Sequence, residues 1–364
     1  MRKKLVFIQF SRALVPMMVM LFHISENMKD YFQFNLLGIS YLPISGGVNY
    51  FFALSGFMLY YIYRGKIGDS NHIKGFLLSR FIRIYPLYWV LTLVAVPVLF
   101  LFPSLGTGQA ITFKSIIFSL LLFPNELDPI LDVAWSLVHT VYFYWIFSFL
   151  FFRSVKLSKL ILAFWGITSL GFFMGIFWSN HKMMYFFFNQ YNLIFLAGIL
   201  SAYLITRYKF NFKMSVILTV IGMLGFPLTW LNYVYKVVNI DFDLGTGLSS
   251  ILIIFGLASI DIQKNIKIPR VFNYLGNAAF AIYLSHNLFL NAFSELFSRF
   301  SIFESIGGAL TSISFLVLIL CTGCLVHSFI EKPLISKMKW MIPKNNTAVT
   351  KVNGAENPSS LNVS

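Results

Sequence analysis

Residues 5–24 read LVFIQFSRALVPMMVMLFHI, an apolar run that contains an arginine and a histidine. As a helix, this run is long enough to cross a hydrocarbon core of about 30 Å. Arg12, Pro16, Val19 and His23 then fall on one face, with Arg12 and His23 about 16 Å apart along the axis. Charged groups inside a membrane are costly, so they usually face a bundle interior and mark a functional site. This face is therefore predicted to line the site.

The composition of the whole chain is that of a membrane protein. Its 364 residues are 58% hydrophobic, 18% aromatic and only 11% charged, far from the average of soluble proteins. The sequence therefore predicts an all-α, polytopic membrane protein with about ten transmembrane helices. The predicted spans lie near residues 5–24, 44–63, 84–102, 133–152, 157–178, 186–205, 214–232, 244–261, 275–296 and 306–328.

The distribution of charge predicts the orientation of these spans. A further apolar run at 111–123 is short and ends before Pro124. If this run does not cross, 22 of the 28 Lys and Arg residues lie on the side that holds both termini. The positive-inside rule makes that side cytoplasmic, and 111–123 becomes a re-entrant or interfacial helix. The net charge of +15 then reflects orientation and contact with membrane lipid, and no nucleic-acid partner is expected.

A basic segment precedes the third span. Residues 64–89 read RGKIGDSNHIKGFLLSRFIRIYPLYW, in which Arg80 and Arg83 share a helix face and Lys74 lies earlier. The positive-inside rule alone supplies basic residues at this boundary. The RxxR spacing beside an aromatic span entry also suits a phosphate ligand, because each guanidinium presents a planar fork of donors. The residues alone leave both interpretations open.

Other polar residues are candidates for the site. Ser55, next to a glycine in the second span, would allow close approach of a helix or a thin ligand. Trp135 is either an interfacial anchor or a stacking surface for a sugar, and His139 either bonds internally or joins the site. His286, a little short of the outer end of the ninth span, is a further candidate for the cavity. From Ser25 onward an ordinary outer loop is predicted. Spans five to eight are interpreted as scaffold, and no metal site is expected.

Seven segments, in chain order, resemble the membrane-bound acyltransferase family 3. The match covers essentially residues 5–340 and is closest to bacterial enzymes that O-acetylate exopolysaccharide or O-antigen. It implies a membrane acyltransferase domain at 1–340, followed by a disordered cytoplasmic tail at 341–364, in the cell inner membrane. The segments are SRALVPMMVMLFH, GGVNYFFALSGFMLYY, FLLSRFIRIYPLYW, AWSLVHTVYFYW, NLIFLAG, LGNAAFAIYLSH and FIEKP.

The resemblance also implies an activity. Family members transfer an acyl group, usually acetyl, from cytoplasmic acyl-CoA to a hydroxyl of a glycan or lipid-linked oligosaccharide, without a permanently bound cofactor. Arg12 and His23 match the family's first-span pair, and Arg80 and Arg83 match its basic motif, which would hold the CoA phosphates with Lys74 nearby. A neutral imidazole suits a general base, although His23 as acyl carrier stays an alternative.

Two positions depart from the family pattern, since Thr140 and Asn49 stand where related chains carry acidic residues. The departures leave open an inactive homologue that acts as a partner. A second alternative is a transporter or flippase of a lipid-linked sugar, which ten spans and a polar face would suit. The absence of a visible internal repeat and the clustering of Arg80 and Arg83 at one mouth speak against transport.

Overall fold

The computed structural model describes residues 3–36, 45–102, 111–125 and 128–343. It is 83% helical, with no strand in these ranges, and most of the predicted tail at 341–364 lies outside them. The α-helices are α1 Val6–Phe32, α2 Gly47–Tyr63, α3 Ile73–Leu101, α4 Phe113–Leu121, α5 Trp135–Ser148, α6 Val155–Phe173, α7 Lys182–Phe187, α8 Tyr191–Arg207, α9 Phe212–Tyr235, α10 Phe242–Gln263, α11 Arg270–Arg299, α12 Ile302–Val326 and α13 Lys332–Met338.

Each predicted span overlaps one of these helices. Among the described residues, eight helical segments are long and apolar enough to cross a membrane, which supports a multi-pass membrane protein. The predicted spans without such a segment lie in α2, which has 17 residues, and in α11, which has 30. The number ten and the cytoplasmic termini therefore stay predictions.

The short run at 111–123 forms α4, a helix of nine residues. Such a helix extends about 14 Å, which is less than half of a hydrocarbon core. Its last carbonyl groups, which lack partners within the helix, accept hydrogen bonds from α3. The Tyr85 hydroxyl donates to the Leu121 oxygen at 2.9 Å, and the Trp89 indole donates to the Leu120 oxygen at 2.8 Å. Aromatic side chains at the entry of the third span thus hold α4 in place.

The α2 helix packs closely against α8. Twelve of its 17 residues are buried, which explains how a short helix can have a central position. At the crossing, a Cβ added to Gly56 would overlap the carbonyl oxygen of Phe195, and one added to Gly198 would overlap that of Ala53. The two backbones therefore approach each other as closely as glycine allows.

The first helix is fixed at its N-terminus by a buried carboxylate. Asp261 of α10 is 1% exposed, and its two oxygens accept hydrogen bonds from the backbone N–H of Phe7 at 2.8 and 2.9 Å and of Ile8 at 3.2 Å. These are donors that a helix leaves unpaired in its first turn. The next residue, Gln9, donates to Asn277 of α11 at 2.9 Å. Both contacts set the height of Arg12 in the bundle.

The contact between α2 and α8 gives a direct test of the fold. Gly56→Ala should destabilise the protein by roughly 1–3 kcal/mol, because the methyl group forces the two backbones apart. Thermal unfolding of the purified protein in detergent would measure the loss. Gly65→Ala is the matched control, since a Cβ at Gly65 meets no atom within 4 Å. Equal melting temperatures for the two variants would contradict the packing described.

Candidate active site

A cavity of about 170 Å³ lies between α1, α2, α3, α5 and α11. Its lining includes five residues that the sequence nominated, namely Arg12, Ser55, Arg80, Arg83 and Thr140. The rest of the wall is largely apolar and aromatic. Because Arg80 and Arg83 come from the first turns of α3, the cavity lies toward the end of the bundle that is predicted to face the cytoplasm.

A carboxylate from the end of the chain neutralises one of the three arginines. Arg83 Nη1 donates to Glu331 Oε1 at 2.7 Å, and His327 Nδ1 lies 2.6 Å from Glu331 Oε2. Glu331 is 1% exposed and ends a five-residue π-helix that follows α12. Burying a charge requires a partner and further hydrogen bonds, and Glu331 has both.

The other two arginines have no such partner. The Arg80 guanidinium lies 5.8 Å from the ring centres of Tyr63 and Tyr144, where cation–π attraction stabilises it. Arg12 Nη1 donates to Gln9 Oε1 at 3.2 Å. Neither forms an ion pair within the described ranges. The cavity therefore contains two guanidiniums that no carboxylate neutralises, an arrangement suited to an anion.

A series of rings leads from the cavity to the predicted base. Tyr283 of α11 lines the cavity, and its hydroxyl bonds to Ser136 Oγ at 2.8 Å and to the Val133 oxygen at 3.0 Å. Its ring centre is 5.8 Å from that of His286, which is 5.1 Å from that of His23. The two histidines do not line the cavity themselves: His286 adjoins its Tyr283 wall, and His23 lies behind His286.

His23 is paired with a carboxylate that the sequence interpretation did not select. His23 Nδ1 lies 2.9 Å from Glu26 Oε2. An ionised carboxylate only accepts hydrogen bonds, so this contact assigns the proton to Nδ1 and leaves the lone pair on Nε2. The expected loop is wrong for its first part, because α1 continues through Ser25 to Phe32. If the first helix had been predicted to extend past Ile24, the three-residue spacing from His23 to Glu26 would have indicated that the two side chains meet on one helix face.

His286 has a similar arrangement in a fully buried position. It is 0% exposed, and its Nδ1 contacts the carbonyl oxygen of Tyr283. A carbonyl only accepts, so Nδ1 donates and the lone pair is on Nε2, which has no partner in the described part of the protein. A buried polar atom without a partner is costly, and this one lies beside the His23 ring.

The adjacent residues His139 and Thr140 have different surroundings. Thr140 lines the cavity and donates to the Ser136 oxygen at 2.8 Å. His139 packs among aromatic rings outside the cavity lining, with its ring 4.4 Å from Phe186 and 6.1 Å from Trp135. The structure thus brings Thr140 into the cavity and places His139 and Trp135 in a neighbouring aromatic cluster.

Two other positions lie away from the cavity. Lys74 is exposed in the first turn of α3. Asn49, at the second family departure, donates to Asp243 Oδ1 at 2.9 Å and to Thr246 Oγ1 at 2.7 Å. Asn49 therefore joins α2 to a carboxylate of α10. Among the described residues, no group of three or more His, Cys, Asp or Glu side chains could hold a metal ion.

Comparison with known proteins identifies the family. A family model described as an acyltransferase domain matches residues 5–328. The chain belongs to this acyltransferase family. It is also similar to the exopolysaccharide production protein ExoZ of Rhizobium meliloti (strain 1021), with 24% identity over 332 residues that cover 87% of this chain and 95% of the relative. No solved structure is significantly similar to the chain.

The ion pair at the cavity can be tested by mutation. Glu331→Ala should lower stability by roughly 1–3 kcal/mol, because it removes the charged acceptor of the Arg83 guanidinium, whose side chain is 23% exposed. Thermal unfolding in detergent measures this, with Asp69→Ala as control, since the Asp69 side chain is 47% exposed and lies 3.4 Å from His72. Combining Glu331→Ala with Arg83→Met should restore part of the loss. A melting temperature for Glu331→Ala equal to that of the control would contradict the buried pair.

Proposed function

We propose that the protein is an integral-membrane O-acyltransferase that moves an acyl group, acetyl being the first to test, from cytoplasmic acyl-CoA to a hydroxyl of a cell-surface polysaccharide. Membership of the family supports acyl transfer, and the name of the Rhizobium relative supports a polysaccharide acceptor. The observation that carries the donor assignment is the excess of arginine over carboxylate in the cavity. Residues 1–340 would form the catalytic domain in the inner membrane.

The donor is assigned to the cavity by charge and shape. The phosphates of CoA would bind Arg80 and those N–H groups of Arg83 that do not donate to Glu331, with exposed Lys74 adding positive charge nearby. Arg12 lies deeper on α1, where it would contact the pantetheine arm or the thioester oxygen. The long, flexible arm suits a narrow cavity whose wall includes the small side chain of Ser55. The thioester would then point toward Tyr283 and the histidines.

The histidine pair supports general-base catalysis. In this scheme His23 Nε2 takes the proton of the acceptor hydroxyl, the hydroxyl oxygen bonds to the thioester carbonyl carbon, and the carbon–sulfur bond breaks. The departing CoA thiolate then takes the proton back from the imidazolium. Glu26 would stabilise that imidazolium through Nδ1, as a carboxylate does in hydrolase triads. Arg12 would stabilise the developing oxyanion.

His286 is assigned a positioning role. When His23 is protonated on Nε2, it needs a hydrogen-bond acceptor, and the unpartnered Nε2 of His286 lies in the adjacent ring. A hydrogen bond between the two rings would hold the imidazolium until the CoA thiolate takes its proton. Thr140 does not supply the carboxylate found in related chains, and in this scheme Glu26 supplies it from the first helix itself.

The central residue of the scheme is His23. His23→Ala should reduce transfer of label from radiolabelled acetyl-CoA to extracted polysaccharide by about 100-fold or more, the usual contribution of a general base. Membranes with equal amounts of inserted protein would be compared. His181→Ala is the control, because His181 is exposed between α6 and α7. Full transfer by His23→Ala would refute the scheme, and sugar movement across vesicles without acyl-CoA would instead favour a flippase.

The donor site has a separate test. Arg80→Ala should raise the KM for acetyl-CoA by roughly 10- to 100-fold, since hydrogen bonds to charged groups contribute about 1.5–3 kcal/mol. The KM for acetylpantetheine, which lacks the nucleotide phosphates, should stay unchanged in the same variant. Steady-state kinetics with both donors provides the comparison. An equal loss with both donors would show that Arg80 does not act through the phosphates.

A further inference from the structure

A second, wider cleft lies at the opposite end of the bundle from the arginines. Its volume is about 580 Å³, within the range of small-molecule sites. It is formed where α6 ends, at α7, before α8 and at the connection from α9 to α10, all on the side predicted to face outward. Its lining residues are Phe172, Phe173, Tyr185, Phe188, Asn189, Gln190, Asn239, Ile240, Asp241 and Leu244.

One wall of this outer cleft is aromatic. The rings of Phe172 and Phe188 are stacked, with centres 5.6 Å apart and planes 9° from parallel. Tyr185 meets Phe172 edge-on at 5.4 Å, and 44% of Tyr185 is exposed. Exposed aromatic residues also occur as anchors at membrane interfaces. Here, however, the rings form one wall of a cleft whose other wall is polar.

The polar wall is made of amides and one carboxylate that are already held in position. Asn189 Oδ1 accepts from the Tyr191 N–H at 3.0 Å, and Asp241 Oδ1 accepts from the Leu244 N–H at 2.9 Å. Each bond uses one polar atom and leaves the other, the amide nitrogen or the second carboxylate oxygen, for a ligand. Asn239 makes no side-chain hydrogen bond within the described ranges, so both of its polar atoms are available.

The charge of the outer cleft distinguishes it from the arginine cavity, the cavity lined by Arg12, Arg80 and Arg83. Of the described residues that line it, one is a carboxylate and none is Lys, Arg or His. A phosphate-bearing donor would be repelled by Asp241 and would find no cation among the described residues that line this cleft. A sugar suits the site better, because its apolar ring face packs on aromatic rings and its hydroxyls both donate and accept hydrogen bonds.

The outer cleft continues into a neighbouring depression. This second space has a volume of about 310 Å³ and shares Asn239 and Ile240 with the first. Its wall adds an amide, another aromatic ring and one cation, which belong to Asn232, Tyr233 and Lys236. Two joined spaces with repeated amide and aromatic chemistry suit a chain of sugar residues better than a single sugar.

Hydrogen bonds connect the outer cleft to the wall of the arginine cavity. Gln190 in the cleft donates to Asp243 Oδ2 at 2.8 Å, and Tyr191 donates to the same oxygen at 3.2 Å. The Tyr191 ring lies 5.0 Å from Phe52, which lines the arginine cavity. Asp243 also accepts from Asn49 of α2. The cleft is thus held in a fixed position relative to the reaction centre.

We propose that the outer cleft is a subsite for the acceptor glycan, which binds sugar residues of the chain remote from the hydroxyl that is acylated. The proposal rests on the proposed function for the identity of the ligand. Binding at this distance from His23 would contribute to acceptor affinity and selectivity without taking part in the chemistry. A long acceptor should therefore gain more from the cleft than a short one.

Variants of two exposed residues test the subsite. Asn239→Ala and Tyr185→Ala should each weaken binding of exopolysaccharide extracted from the source organism by about tenfold, the effect of one lost contact. Calorimetry with the full chain in detergent, without acyl-CoA, measures this binding. Tyr185→Phe should bind like wild type because it keeps the ring. Asn180→Ala and Trp178→Ala, exposed at the same end outside the cleft, are the matched controls.

The same variants are then compared in the transfer assay. The KM for the polysaccharide should rise about tenfold, while kcat and the KM for acetyl-CoA stay at wild-type values. A fragment of one repeat unit should show a smaller difference between variant and wild type. If wild type transfers the acyl group and both variants keep the wild-type KM and affinity, the subsite is refuted and the acyltransferase stands.

The remaining outcomes separate the two proposals. If wild type binds the polysaccharide and the variants do not, but no acyl group is transferred from any acyl-CoA, the subsite stands and the proposed function fails. If wild type neither binds nor acylates the polysaccharide, both proposals fail. Equal weakening by the control variants Asn180→Ala and Trp178→Ala would refute the assignment to this cleft.

Discussion

A guanidinium inside a membrane protein must be solvated by the protein itself, and three of them meet in one cavity here. This requirement explains why distant parts of the chain converge. Arg83 donates a hydrogen bond to Glu331 of the last helical segments, and Arg12 donates one to Gln9. Arg80 lies among tyrosine rings. Glu331 pairs with Arg83 alone among the three, so within the described ranges Arg80 and Arg12 keep unneutralised charge. Binding of an anion would remove that cost, which couples the stability of the site to its ligand.

The two proposed substrate sites differ in charge and lie at opposite ends of the bundle. The arginine cavity suits phosphates, whereas the outer cleft offers amides, rings and one carboxylate. The first helix joins the two ends, because Arg12 reaches the cavity and His23 lies about three turns further along. The contacts of Asp261 with the start of α1 and of Asp243 with α2 and α8 fix these parts relative to one another. A membrane-embedded transferase needs such rigidity to bring reactants from two sides together.

The sequence predicts the helices well because apolar runs of span length have one stable form in lipid. It also assigns Arg12 and His23 to one helix, but only Arg12 lies in the cavity lining. Glu26 was missed because the apolar run ends at Ile24 although the helix does not. The partner of Arg83 lies 248 positions away, and only the tertiary fold brings it close. The outer cleft was not predicted, because its polar side chains come from connections that become neighbours only on folding. The helices around it were therefore interpreted as scaffold.

The most direct test of the account is a cryo-electron microscopy structure of the full chain in lipid nanodiscs with a non-hydrolysable thioether analogue of acetyl-CoA. The account predicts the phosphates at Arg80 and Arg83, the pantetheine arm beside Arg12, and the thioether next to His23 Nε2. A CoA analogue bound outside the arginine cavity, or bound there with its thioether directed away from His23, would contradict the account.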